Sequence, residues 1–159
     1  MPIRIRPAEP KDVDTLLALY VSADETAHNF LPDFFRPTSE YQRSKADIDA
    51  QLADGDCALL VAEDERGAVG LVSVAMQSSP TFGGFVPRRY AYVADLAVDA
   101  RARREGVGTQ LMAAAEAWAR DHDADSVELM VVEGNDGAEA LYRASGFEPR
   151  SRRMWKRLS

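Results

Sequence analysis

Apolar and charged residues alternate from Ile3 to Arg6, the period of a half-buried strand. After Pro10 the spacing lengthens: Val13, Leu16, Leu17 and Tyr20 recur at helical intervals, which predicts an amphipathic helix with proline at its start. Glu25 to Pro37 gathers Phe30, Leu31, Phe34 and Phe35 around two prolines, a composition for an irregular segment packed over the core. A second helix is predicted from about Ser39 to Leu52. Cys57 to Glu63 and Ala68 to Met76 are apolar, β-type runs joined by Asp64-Glu65-Arg66-Gly67, the signature of an antiparallel hairpin. Gln77 to Pro87, with Pro80, Gly83 and Gly84, reads as a loop, and Tyr90 to Val98 as the next strand. A helix carrying Val107, Leu111, Ala115 and Trp118 follows, then a strand from Ser126 to Val132 and a helix from Asp136 to Ser145 that ends at Gly146. The remainder to Leu158 reads as a charged closing strand or pair. The order is β-α-α-β-β-β-α-β-α-β in one domain spanning residues 1–159, since no repeat or low-complexity tract divides it.

Composition narrows the function classes. The chain is 46% apolar and 28% charged, a globular balance, and no apolar run approaches the roughly 18 residues of a membrane span. Its opening lacks the apolar stretch of a signal peptide, so a cytoplasmic location and no membrane partner are expected. Nineteen Lys and Arg against 26 Asp and Glu give a net charge of −7, which disfavours nucleic acid and suits a cationic acceptor. A single cysteine, Cys57, excludes an internal disulfide, and two distant histidines, His28 and His122, form no ligand cluster, so no metal is expected. Cys57 opens an apolar strand and reads as a small buried hydrophobe. His28 reads as part of a loop packed over the core.

The segment richest in chemistry is Arg103-Arg104-Glu105-Gly106-Val107-Gly108-Thr109, between a strand and a helix. A helix start offers free N–H groups and about half a positive charge, glycines let the backbone approach, and the arginines at 101, 103 and 104 supply paired donors, so the segment suits a pyrophosphate. Two rival phosphate motifs fail. The Walker A pattern needs lysine before Ser or Thr, whereas Gly108 is followed directly by Thr109. The dinucleotide fingerprint needs Gly or Ala where Leu111 stands. On these residues alone, a phosphate site and a simple turn with solvated arginines remain equal readings.

The motif Arg103-Arg104-Glu105-Gly106-Val107-Gly108 after Asp95-Leu96-Ala97-Val98-Asp99 resembles the hallmark of the GNAT superfamily of acetyl-CoA-dependent N-acetyltransferases. A second block, Glu133-Gly134-Asn135-Asp136-Gly137-Ala138 with Leu141-Tyr142-Arg143-Ala144-Ser145-Gly146-Phe147, is similar to that family's Asn, Ala, Leu-Tyr and Gly-Phe helix. The close match covers about Tyr90 to Glu148. The resemblance implies a mixed α/β fold: a mostly antiparallel sheet of six to seven strands, flanked by about four helices and splayed between the fourth and fifth strands. It implies acetyl-CoA as co-substrate, a small-molecule or peptide amine as acceptor, and a homodimer of the kind common among similar proteins. A non-catalytic acyl-CoA-binding module on the same fold is the alternative.

The resemblance also implies site roles. The pantetheine arm would pair with backbone near Leu96 and Val98. Backbone N–H groups from Arg104 to Thr109, including Gly106, Val107 and Gly108, with Arg103 beside them, would hold the pyrophosphate. A backbone N–H at Ala97 or Val98 would steady the oxyanion. The departing thiolate, with a pKa near 8.5 by analogy with cysteine, gains from a phenol donor, and Tyr142 is the candidate general acid. Asn135 stands seven residues earlier, on the same helical side, so both would face the cofactor. For the base the alternatives are Asp95, Glu63, Tyr90 and Tyr92, with Asp95 first, or water relaying through backbone carbonyls. Alternation sets Asp95 opposite Leu96 and Val98, which equally suits a contact to a cationic substrate. The N-terminal third carries no matching motif, and the acceptor stays open there.

Overall fold

The computed structural model describes residues 2–159. The opening alternation forms β1 (Arg4–Pro7), and a 3-10 turn at Pro10–Asp12 leads into α1 (Val13–Phe30). A buried ion pair fixes this corner: the Arg6 guanidinium donates to both Asp12 oxygens at 2.7 and 2.8 Å and to Glu63 at 3.0 Å. α1 runs further than its apolar stripe suggests, because Ala23 to Phe30 contains no breaker. It stops at Leu31, which precedes Pro32 and has φ −133°.

α2 (Lys45–Ala53) starts on a reciprocal cap in which the Ser44 hydroxyl accepts from the Asp47 N–H and the Asp47 carboxylate accepts from the Ser44 N–H. β2 (Cys57–Asp64) and β3 (Gly67–Ser78) form the expected hairpin. β4 (Arg89–Val98), a second 3-10 turn at Ala100–Ala102, α3 (Val107–Asp121), β5 (Ser126–Leu129) and α4 (Asp136–Ala144) follow among the described residues.

The strands lie in the order β1-β2-β3-β4-β5, antiparallel except for the parallel β4–β5 pair. Strand alternation sends apolar residues to both faces. Leu60, Ala62, Val72, Val74, Ala91 and Val93 pack beneath Val107, Leu111, Met112, Ala115 and Ala119 of α3. On the other face Leu59, Val61, Leu71 and Ala97 meet Leu16, Leu19 and Tyr20 of α1 and Ile48 of α2. This is a helix-sheet-helix sandwich with two cores.

One irregularity in β4 shapes the site. Ser73 pairs with Asp95 and Val74 with Val93, so Ala94 is an extra residue without a partner on β3. Such a bulge bends its strand and reverses the alternation beyond it. Ala91 and Val93 face α3 before the bulge, and Leu96 and Val98 face it afterwards. β5 pairs with Tyr90 to Val93 and stops there, so the far half of β4 diverges from β5 and leaves an open edge. The splay expected between the fourth and fifth strands is present at that point.

Two expectations need correction. The sheet has five strands among the described residues, fewer than the six to seven expected. The strand expected after Gly146 does not form, and residues 148–159 are irregular and largely exposed. Arg150, Arg152, Arg153, Lys156 and Arg157 break any alternating apolar face there, and β5 offers an edge of only four residues. The tail instead crosses to the loop after α1, where Trp155 meets Phe34 edge-on at 5.4 Å and Arg157 pairs with Asp33.

Candidate active site

The open edge of β4 borders a cleft of about 600 Å³. One wall is α1, through Ser22, Ala23, Thr26, Ala27 and Phe30; the other is α4 with Asn135, Ala138, Leu141 and Tyr142. Leu96, Ala97 and Val98 line the strand side, and Arg103, Arg104, Gly106, Val107, Gly108 and Thr109 the end nearest α3. Of the residues assigned from the sequence to the donor side of the reaction, all but Arg101 and Glu105 thus border one cavity. Phe30 also approaches Gly134, so α1 reaches across to the loop before α4.

At the end nearest α3, Gly106 adopts φ +81° and Arg104 φ +63°, two left-handed residues in one tight bend. The first intrahelical bond runs from the Gln110 N–H to the Gly106 carbonyl at 3.1 Å, so the N–H groups of Val107, Gly108 and Thr109 precede the helical ladder. They give the cleft a cluster of donors at the positive end of a 15-residue helix. Gly108 serves packing as well: a Cβ there would lie 3.0 Å from Leu141 Cδ2, so its absence lets α3 and α4 approach. The three arginines part company. Arg101 is held by Asp99 through its N–H and its guanidinium, whereas Arg103 and Arg104 border the cleft. Arg103 Nε also donates to the Val98 carbonyl at 3.3 Å.

Along β4, the Asp99 N–H bonds to Val69 of β3 at 2.8 Å. Antiparallel alternation then turns Ala97 toward β3 and leaves the N–H and C=O of Leu96 and Val98 on the open edge. Asn135 caps α4, its side-chain oxygen accepting from the Ala138 N–H at 3.2 Å. Tyr142 stands over the cleft with Phe147 edge-on at 6.0 Å. Burial, and after it the charge of Asp95, push its phenol above the usual tyrosine value.

Asp95 lies on the α1 face. Both of its oxygens accept from Arg43, at 2.9 and 3.2 Å, and Arg43 also bonds to Asp24 of α1 at 2.9 and 3.0 Å. The Arg43 guanidinium sits 4.0 Å over the Tyr20 ring. Two carboxylates share one cation here, which leaves a net negative charge. Arg43 and Asp24 were not legible in the sequence, because the pairing spans 52 and 19 residues and neither belongs to a motif. None of the candidates for a base lines the cleft: Asp95, the first choice, is turned to the α1 face and bound to Arg43, Glu63 is bound to Arg6, Tyr90 donates to Gln77 at 3.3 Å, and Tyr92 precedes the bulge. Burial raises the Cys57 thiol, as expected of an inert cysteine, and His28, expected in a loop, lies in the last turn of α1 and contacts the Phe35 carbonyl at 2.7 Å, outside the cavity.

Comparison with known proteins agrees with this architecture. The model of the acetyltransferase (GNAT) family matches residues 19–147. An uncharacterized N-acetyltransferase of Bacillus subtilis, YhfO, is 28% identical over 146 residues, covering 92% of this chain and 90% of its own. A mutant of the BH1408 protein from Bacillus halodurans superposes with a TM-score of 0.91 at 25% identity, covering 98% of this chain and 99% of its own. The aminoglycoside N-acetyltransferase AAC(6')-Iy, solved in complex with CoA, superposes at 0.74 with 18% identity, over 99% of this chain and 95% of its own.

Proposed function

This chain belongs to the acetyltransferase (GNAT) family and is an acyltransferase, and from that premise we propose that it moves an acetyl group from acetyl-CoA to a primary amine by direct attack within the cleft beside β4. The observation that carries the proposal is the convergence of three parts on one cavity: the amides of the bend before α3, the open edge of β4, and the Tyr142 phenol. The family uses acetyl-CoA, and these parts match its anatomy from end to end. Donors at the start of α3, with Arg103 and Arg104, suit the pyrophosphate. The outward N–H of Val98 and C=O of Leu96 suit the amides of a pantetheine arm, which would lie along β4 as an added strand.

With the pyrophosphate at the α3 end, the arm passes Val98 first and the thioester carbonyl would rest toward Leu96, whose outward N–H would steady the developing oxyanion; of the two amides expected for that role, that of Ala97 is turned toward β3 and that of Val98 pairs with the arm. The amine attacks in its neutral form after its ammonium proton passes to water; as its nitrogen bonds to the carbonyl carbon the bond to sulfur breaks, the Tyr142 proton goes to the thiolate, and the proton shed by the nitrogen restores the phenol through water. The phenol is protonated at neutral pH, the state a donor needs, and burial pushes its ionisation further up. Asp95, whose oxygens are committed to Arg43, acts as a fixed negative charge on the acceptor side. Together with Asp24 it favours an acceptor that arrives as a cation.

The test is acetyl transfer across a panel of amines, paired with CoA binding by calorimetry. Tyr142→Phe should lower kcat by about 10²-fold or more while the Kd for CoA stays within about twofold. Unchanged turnover in that variant would remove Tyr142 as the acid. CoA binding without transfer to any amine would replace the enzyme by a non-catalytic acyl-CoA module.

A further inference from the structure

The bend that carries the phosphate-facing amides is strained, and its restraint comes from outside the cleft. Arg104 is left-handed at φ +63°, a conformation in which a Cβ crowds the following carbonyl, and Gly106 follows at +81°. A bend of this kind persists only where its surroundings hold it. At its near end, Asp99 accepts from the Arg101 N–H at 2.9 Å. Across its span lies a single guanidinium from the opposite hairpin. Arg66, in the turn between β2 and β3, donates through Nη1 to the Arg101 carbonyl at 2.9 Å and through Nη2 to Glu105 Oε2 at 2.7 Å.

We infer that Arg66 is a positioning residue for the co-substrate, a brace that fastens both ends of the Arg101–Glu105 bend so that the amides of Gly106 to Thr109 stay aimed at a pyrophosphate. The guanidinium is itself held. Asp64 accepts from the Arg66 backbone N–H at 2.7 Å and from Nε at 2.9 Å, and the Asp64 side chain is only 1% exposed. The hairpin is anchored in turn by the full β2–β3 ladder. An isolated surface ion pair contributes little, but here a planar fork joins three groups on two segments, and one of them is a backbone carbonyl at the bend. Arg66 does not border the cleft and so acts only through the bend. Without it, Arg104 is free to leave the left-handed region and the amides lose their common direction.

This inference rests on reading the bend as the pyrophosphate site, and the experiment separates the two. Binding of CoA and of pantetheine, which lacks the pyrophosphate, is measured for the unmodified protein and for Arg66→Ala and Arg66→Lys, with melting temperatures alongside. CoA affinity should fall about fivefold to tenfold in Arg66→Ala, the size expected when a left-handed residue relaxes. Pantetheine affinity should change by less than about twofold, as for other surface substitutions. Arg66→Lys, which keeps the charge without the fork, should recover less than half of the loss. Equal weakening of both ligands, or no change for CoA, would overturn the brace. Failure of the unmodified protein to bind CoA would instead remove the pyrophosphate reading, and the brace with it.

Discussion

Gly106 and Gly137 are both open to solvent on the side where a Cβ would stand, with no atom within 4 Å, yet replacing each by alanine should move the protein in opposite directions. Space does not decide the outcome; backbone angle does. Gly106 holds φ +81°, where an alanine pays roughly 1 to 2 kcal/mol relative to the right-handed region. Gly137 is the second residue of α4 in ordinary helical geometry, where alanine is favoured over glycine by about 0.5 to 1 kcal/mol. The cost in Gly106→Ala must appear in one of two places. If the bend keeps its shape, the fold bears the strain and the melting temperature falls by about 2 to 8 °C, at 2 to 4 °C per kcal/mol for a chain of this size. If the bend relaxes, melting is unchanged, the amides turn away, and the Kd for CoA rises by about 5- to 30-fold. Scanning calorimetry and CoA titration on the same sample measure both, and their sum should recover 1 to 2 kcal/mol. Gly137→Ala should raise the melting temperature by about 1 to 4 °C. A Gly106→Ala variant that shifts neither quantity would refute the claim that the left-handed angle is what the motif's first glycine provides.

Two further outcomes follow from the charges. Asp12→Asn leaves the buried Arg6 guanidinium with Glu63 as its remaining charged partner, and should cost about 3 kcal/mol of stability by denaturant unfolding. Because Arg6 holds the Asp12 carboxyl below the ordinary carboxylate range, that stabilisation is complete above about pH 4 and is lost as pH falls through the native value. Acid unfolding of the variant should lack this component; identical acid profiles would refute it. At the other end of the scale, the Tyr142 phenol should remain protonated past the usual tyrosine value near 10. Ultraviolet difference titration of the wild type against Tyr142→Phe reads this directly, and a phenol ionising below pH 10 would contradict its burial.

The sequence was most legible where one short segment carries both a period and a punctuation mark. The hairpin around Asp64 to Gly67, the glycine bend and the helix bearing Asn135 and Tyr142 all formed within a residue or two of expectation. Long-range matters were hidden. The Ala94 bulge exists only as a mismatch between two strands, so the phase reversal that turns Leu96 and Val98 toward the α3 face could not be read from β4 alone. Arg43 and Asp24 meet Asp95 across the fold and belong to no motif. The charged tail misled for a related reason: a run of arginines is compatible with a guarded edge strand, but a strand also needs an apolar face to bury, and Arg150 to Arg157 lacks one.

A sheet edge with free N–H and C=O groups is ordinarily a hazard, because any extended chain can add to it. The Ala94 bulge sets such an edge at the bottom of a slot between α1 and α4 rather than on the rim of the molecule. Access is therefore sorted by girth: a single slender, amide-bearing arm can lie along Leu96 to Val98, while a polypeptide strand with side chains on both faces meets the two helices first. The open half of β4 thus stays unpaired without offering a template to another polypeptide.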